Sequence, residues 1–118
     1  MGRLPKKDLE ALGISADSAV ANLSEVQVRK LIAKCAHVGA VRYTGHAEKK
    51  LVERGGTRED VLRCLKQGAI VPGKSEPSTG GGLKLVLRHL YCGDQLDVVV
   101  ALDAVAGPSF VITVFFEA

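Results

Sequence analysis

Residues 83–117, LKLVLRHLYCGDQLDVVVALDAVAGPSFVITVFFE, decide the fold. Three runs within them, 83–91, 96–103 and 109–117, are rich in β-branched and aliphatic residues, the signature of strands. Cys92-Gly93-Asp94 separates the first two and residues 104–108 the last two, both short enough for hairpins. The segment therefore reads as an antiparallel meander. In the first run, alternation puts Lys84, Val86, Arg88 and Leu90 on one side and Leu83, Leu85, Leu87, His89 and Tyr91 on the other. Leu85, Leu87, Val98, Val100, Ile112 and Val114 are the expected core positions of the sheet.

Upstream the period changes to that of helices. Ser24 with Gln27 reads as a capping box, and Val28, Leu31, Ile32, Cys35 and Val38 recur at helical spacing until Gly39, which predicts a helix over 25–38. Thr44 precedes a second helix at 45–54, closed by Gly55-Gly56. Thr57 with Asp60 caps a third at 58–67, closed by Gly68. Residues 1–22 read as an accessory arm with a short helix at 6–12 that Gly13 stops. The stretch AIVPGKSEPSTGGG, 69–82, opens with a short strand at 69–71. It then reads as a loop, with 72–82 the most mobile internal segment because Pro and Gly leave few apolar anchors. Helices first and a meander second give an α+β domain over 23–118. Its N-terminal helices pack on one face of a small antiparallel sheet of three to four strands, the helix at 25–38 among them.

A chain of 118 residues, 47% hydrophobic and 25% charged, has room for a single core. No apolar run reaches the ~18 residues of a membrane span, and the opening MGRLPKKDLEALG lacks the apolar stretch of a secretory signal. A cytoplasmic protein without membrane contact is expected. Cys35, Cys64 and Cys92 are odd in number and form no C-x-x-C, so they read as buried small hydrophobes in a reducing compartment. The net charge of +3 is unevenly spread: residues 1–41 carry net +2, residues 42–66 net +3 and residues 67–118 net −2. A basic helical end opposite a mildly acidic strand end would orient an anionic polymer.

The most informative segment is the second helix, where His46, Lys50 and Arg54 fall at i, i+4 and i+8. They make one stripe about 12 Å long. The same stripe is also what a solvated, charge-mixed helix face looks like. Lys84 and Arg88, on one side of the first strand, form a second candidate phosphate clamp, or else the charges that guard an edge strand against aggregation. The three histidines show no ligand spacing and no metal is expected. Gly80-Gly81-Gly82 lacks the Lys-Ser/Thr of a phosphate-binding loop, and no nucleophile elbow is present. Asp97 and Asp103 stand roughly 20 Å apart along a strand, too far for a glycosidase pair. Cations with a histidine and no metal ligands suit metal-free RNA cleavage, in which the 2′-hydroxyl attacks the adjacent phosphate.

The segment YTGHAEKKLVERGGTREDVLRCLKQG, 43–68, resembles the start of small RelE-like domains, often described only as a family of unknown function, with the pattern H-A-x-x-R-(M/L)-x-x-R-G. His46, Ala47, Leu51, Arg54 and Gly55 match it, with Lys50 in place of the first Arg. Val98–Asp103 and Val111–Val114 are similar to the closing hairpin, and LSEVQVRKLIAKCAHVGAVRYT resembles the N-terminal part of MqsR toxins. The resemblance, which extends over roughly 24–117, implies a toxin of a type II toxin–antitoxin pair of the RelE, MqsR and BrnT kind. Such a toxin is an endoribonuclease (a hydrolase by class) that cleaves mRNA without a metal or other cofactor. It implies His46 as general acid or base and Arg54 and Arg88 on the scissile phosphate. Lys50 and Lys84 would hold flanking phosphates, and Tyr91 would contact RNA as their active-site tyrosine does. The partners implied are RNA, including ribosome-bound mRNA, and a cognate antitoxin protein. A second reading keeps the scaffold without cleavage, as a non-catalytic binding module such as a mobile-element inhibitor or adaptor.

Overall fold

The computed structural model describes residues 4–13, 23–78, 82–91, 93–102, 109–110 and 112–115. In chain order its elements are β1 (Leu4–Pro5), α1 (Lys6–Ala11), α2 (Glu25–Val38), β2 (Val41–Tyr43), α3 (Gly45–Glu53) and α4 (Arg58–Gln67). Then come β3 (Ala69–Ile70), β4 (Glu76–Ser78), β5 (Gly82–Tyr91), β6 (Asp94–Leu102), β7 (Ser109–Phe110) and β8 (Ile112–Phe115).

Local chemistry sets the helix boundaries. At α2 the Ser24 N–H donates to Gln27 Oε1 (3.0 Å) and the Gln27 N–H donates to Ser24 Oγ (3.2 Å). This reciprocal cap satisfies two donors that a helix start leaves open. Gly39, at φ 78°, then ends the helix in the left-handed region. Thr44 caps α3 by accepting from the Ala47 N–H (3.0 Å). Thr57 and Asp60 form the box that starts α4. Gly68 ends α4 for a different reason. Its φ of −69° is open to any residue. A Cβ there would instead sit 2.5 Å from the Cys64 carbonyl oxygen and 3.0 Å from that of Arg88. Only a residue without a side chain lets the end of α4 lie against β5.

The sheet is ordered β2-β8-β6-β5-β3, with β4 also pairing β5. Its centre, β5–β6–β8, is antiparallel, as the short separators between the runs led one to expect. Three differences from the sequence reading are structural findings. Tyr91 pairs with Asp94, so two residues and not three separate β5 from β6, with Gly93 at φ 85°. Glu76–Ser78, expected within a loop, is a strand that folds back on the start of β5, with Glu76 opposite Lys84 and their side chains 3.7 Å apart. Val41–Tyr43, expected as a connection between helices, lies parallel to β8, Val41 opposite Ile112. Three residues are too few to show a period of two. Near the N-terminus, β1 pairs with β7 and Leu9 of α1 is fully buried in the common core.

One core joins the layers. Leu85 and Leu87 of β5 and Val98, Val100 and Leu102 of β6 are buried with Val61, Cys64 and Leu65 of α4 and Val28, Leu31, Ile32 and Cys35 of α2. Of the expected sheet core, Ile112 and Val114 have side chains outside the described residues. Helix α4 lies across β5 and β6, and α2 packs chiefly on α4. Val28 of α2 also shares a groove with Leu83 and Leu85. Arg29 of α2 fastens the pair of helices, donating from its two terminal nitrogens to the carbonyls of Leu65 (3.1 Å) and Lys66 (3.2 Å). Those carbonyls belong to the last turn of α4, where a cation also meets the negative end of the helix dipole.

Candidate functional site

Two neighbouring clefts share Arg54. The first, about 290 Å³, is lined by Arg54, Lys74, Arg88 and Asp97 over Val71, Val86 and Val99. The second, about 350 Å³, is lined by Leu51, Arg54, Gly55, Gly56, Asp60, Arg63, His89, Gln95 and Leu96. Arg54 is the residue that ends α3, so the tight turn Arg54-Gly55-Gly56 decides where its side chain starts. Gly55 takes φ +70°, a conformation costly to side chains. A Cβ on Gly56 would come within 2.8 Å of Leu51 Cδ1 and 3.6 Å of Asp60 Oδ2, partly filling the second cleft.

In the first cleft Asp97 stands opposite Arg88 across β5–β6. Arg88 donates to it twice, Nε to Oδ1 at 2.9 Å and a terminal nitrogen to Oδ2 at 3.0 Å, the two-pronged geometry that suits a carboxylate or a phosphate. The Gln95 amide approaches the same oxygens at 3.4 and 3.5 Å. The Arg88 hydrogen bonds hold the Asp97 carboxyl below the usual carboxylate range, with Gln95 and the charge of Arg54 acting in the same direction, while Asp97 in turn pushes the Arg88 guanidinium up. Three cations thus surround one carboxylate on an apolar floor. Since the folded-state pKa of Asp97 is depressed, the pair is intact at neutral pH and is lost as pH falls through that depressed value. Below it Arg88 is released. Binding of a short oligonucleotide, measured by fluorescence anisotropy at constant ionic strength, should therefore strengthen only as pH falls below the usual carboxylate range, down to the acid limit of folding. Asp97→Asn should bind as tightly at neutral pH as the unaltered protein does in acid. Both side chains are more than a third exposed, so the pair contributes little to stability.

In the second cleft Asp60 is fully engaged. It accepts from the Thr57 N–H (2.8 Å), from Thr57 Oγ1 (3.2 Å) and from Arg63 (3.2 Å), and its pKa is lowered mainly by the Thr57 backbone bond. Asp60 is an anchor for Arg63, not a proton donor. His89 reaches this cleft from the helix-facing side of β5, the side that alternation assigns it.

The structure brings together some of the residues singled out by sequence and separates others. Arg54 and Arg88 line one cleft. His46 is exposed in the first turn of α3, about 12 Å along the helix from Arg54, and lines neither cleft. Lys50 is paired with Glu53 at 3.6 Å, and Lys84 with Glu76. The Tyr91 side chain lies outside the described residues. Lys74, Arg63, His89 and Asp97 were not assigned to a site by sequence. None had a signal in the sequence: Asp97 comes opposite Arg88 only through the hairpin register. On the far side of α4 a third cleft, about 420 Å³, holds Tyr43 under the Arg58 guanidinium, 4.8 Å from the ring centroid, with Arg58 paired to Glu48. Burial raises the Tyr43 pKa, against the pull of Arg58.

Cys35 and Cys64 are not reactive groups. Cys35 and Cys64 are buried, and burial pushes both thiols up to about 12. The Cys64 thiol lies 3.6 Å from the Leu87 carbonyl and 3.8 Å from that of Leu96. Cys92 lies outside the described residues. Among the described residues no three His, Cys, Asp or Glu side chains come together as a metal-ligand set, and no helix is long and apolar enough to cross a membrane.

A family model described as a domain of unknown function, DUF4258, matches residues 43–116. The chain belongs to this family. The DUF4258 match begins at Tyr43, runs from β2 to just past β8 and contains every residue that lines the two clefts sharing Arg54. Helix α2, with Arg29, precedes it. No curated protein and no solved structure matches the chain.

Proposed function

We propose that this DUF4258 domain is a RelE-like endoribonuclease that cleaves mRNA without a metal, the toxin of a type II toxin–antitoxin pair. The observation that carries this reading is the convergence on Arg54. From one cleft Arg54 faces Arg88 and Lys74, and from the other it faces Arg63 and His89. A phosphodiester seated at Arg54 would border both clefts, each lined by a second guanidinium. Cations fixed where charge develops on the phosphorane are what transesterification needs from a protein. Lys50 and Lys84 flank this centre on α3 and β5 and would meet neighbouring phosphates once drawn from Glu53 and Glu76. The H-A-x-x-K-x-x-x-R-G motif supports the RelE-like assignment, and the antitoxin would cover the basic clefts.

Incubation of the purified protein with total RNA tests the reading. Cleavage should persist in excess chelator, because the nucleophile is the neighbouring 2′-hydroxyl. Products should carry a 2′,3′-cyclic phosphate or 3′-phosphate and a 5′-hydroxyl, and deoxyribose at the cleaved nucleotide should abolish the reaction. No RNA binding at low salt would sink the proposal. One observation favours a second reading, a non-catalytic binding module: the fork of Arg88 is already filled by Asp97. That module would bind RNA or a protein partner at the same clefts and leave RNA intact.

A further inference from the structure

We infer that His89 is the general base of the proposed cleavage. The inference rests on the ribonuclease reading and adds to it the group that moves the proton. Proton transfer requires a side chain that exchanges protons near neutral pH and lies within reach of the phosphate held by Arg54. The second cleft holds few side chains of that kind. Arg54 from the end of α3 and Arg63 from α4 remain cationic at any physiological pH. Asp60 of α4 is tied to Thr57 and Arg63 and held ionised below the usual carboxylate range. Gln95 of β6 does not titrate. Leu51, Leu96, Gly55 and Gly56 carry no proton. His89 is left, and histidine is the side-chain type suited to the task.

Its placement supports the same role. His89 and Arg88 are consecutive on β5, so their side chains leave the strand on opposite sides, and Arg54 is the residue common to the two clefts they line. Arg54 thus borders both the cleft that holds the Arg88 fork and the cleft that holds His89, and a ribose–phosphate unit seated at Arg54 on the second cleft would have the imidazole in the same cleft. In the step itself the neutral His89 takes the 2′-hydroxyl proton as O2′ bonds to phosphorus. The P–O5′ bond breaks, and the 5′ oxygen leaves with a proton from water. The imidazolium then returns its proton to solvent. The products are a 2′,3′-cyclic phosphate and a 5′-hydroxyl, with nothing oxidised or reduced.

The test measures single-turnover cleavage of an oligoribonucleotide in excess chelator from pH 5 to 9. The unaltered protein, His89→Ala, His89→Gln and His37→Ala are compared, each shown to be folded by its thermal midpoint. For the unaltered protein the rate should rise with pH to a plateau, as loss of the proton from a general base requires. Both His89 variants should be about 10²–10⁴-fold slower and lose that rise. Added imidazole should restore part of the rate in His89→Ala. His37→Ala should stay within about threefold of the unaltered protein, since His37 is exposed in the last turn of α2 and lines neither cleft. Cleavage by folded His89→Ala within tenfold of the unaltered rate would overturn the inference and leave the ribonuclease reading standing. So would a slow variant that keeps the pH rise and ignores imidazole. An unaltered protein that leaves RNA intact overturns both.

Discussion

Replacing Arg54 and Arg88 together with alanine should lower affinity for single-stranded RNA by about 10² or more at low salt, since a hydrogen bond to a charged group is worth roughly 1.5–3 kcal/mol. The slope of log K against log salt should fall by about 0.7 for each phosphate that the variant no longer neutralises. The single variants should rank unequally. Arg54 faces both clefts, whereas Arg88 is held by Asp97 through two bonds and must exchange that carboxylate for a phosphate. Arg54→Ala should therefore cost more than Arg88→Ala, and Asp97→Ala should act in the opposite direction and tighten binding. The thermal midpoint should hardly move, because partly exposed charges contribute little to folding. Titration at two salt concentrations with the three single variants and the double variant reads all of these at once. Equal affinity of the double variant and the unaltered protein would place the RNA elsewhere on the surface.

Gly68→Ala should damage the fold more than any exchange of a surface charge. The added methyl would lie 2.5 Å from the Cys64 carbonyl oxygen, 3.0 Å from the Arg88 carbonyl oxygen and 3.2 Å from Cys64 Sγ. The two closest neighbours are backbone, one in the last turn of α4 and the other in the middle of β5, and neither can rotate away. Overpacking of this kind costs about 1–3 kcal/mol, occasionally more. In a chain of this size each kcal/mol lowers the melting midpoint by roughly 4 °C. Gly45→Ala is the control: nothing lies within 4 Å of its Cβ position, its φ is not positive, and it opens α3, so the change should be neutral or slightly stabilising. The displaced carbonyl in Gly68→Ala is that of Arg88, so RNA affinity should fall along with stability. A midpoint within a degree of the unaltered protein would mean that α4 and β5 do not meet at Gly68.

Much of this architecture is written in local sequence. Ser24, Thr44 and Thr57 start α2, α3 and α4 because a short side-chain oxygen accepts from a backbone N–H three residues on, a signal that needs no distant partner. The alternation in 83–91 put Leu85 and Leu87 in the core and Lys84 and Arg88 on the other side, since side chains on a strand alternate whatever lies around it. Helices on an antiparallel sheet followed from those two periodicities. Arg54 and Arg88 were legible as cations, and the resemblance implied one phosphate for both, but that they share a cleft with Asp97 was not legible.

What the tertiary structure decided was register and proximity. With a three-residue separator at 92–94, Arg88 would face Val98; the two-residue turn puts it opposite Asp97, and a phosphate clamp becomes an ion pair. A shift of one residue changes every partner in a hairpin, and short turns are poorly fixed by composition alone. The parallel pairing of β2 with β8 joins residues some seventy positions apart, and β4 takes strand form only because β5 offers its edge. Gly68 looked like a helix stop, yet β5 is what requires a glycine there. His89, set aside as one of three scattered histidines, gains a candidate role only where the turn after α3, the first turns of α4 and the end of the hairpin close around it. Caps and alternation act between neighbours and can be read from the chain. Contacts between distant segments arise from packing, in which each side chain's partner depends on all the others.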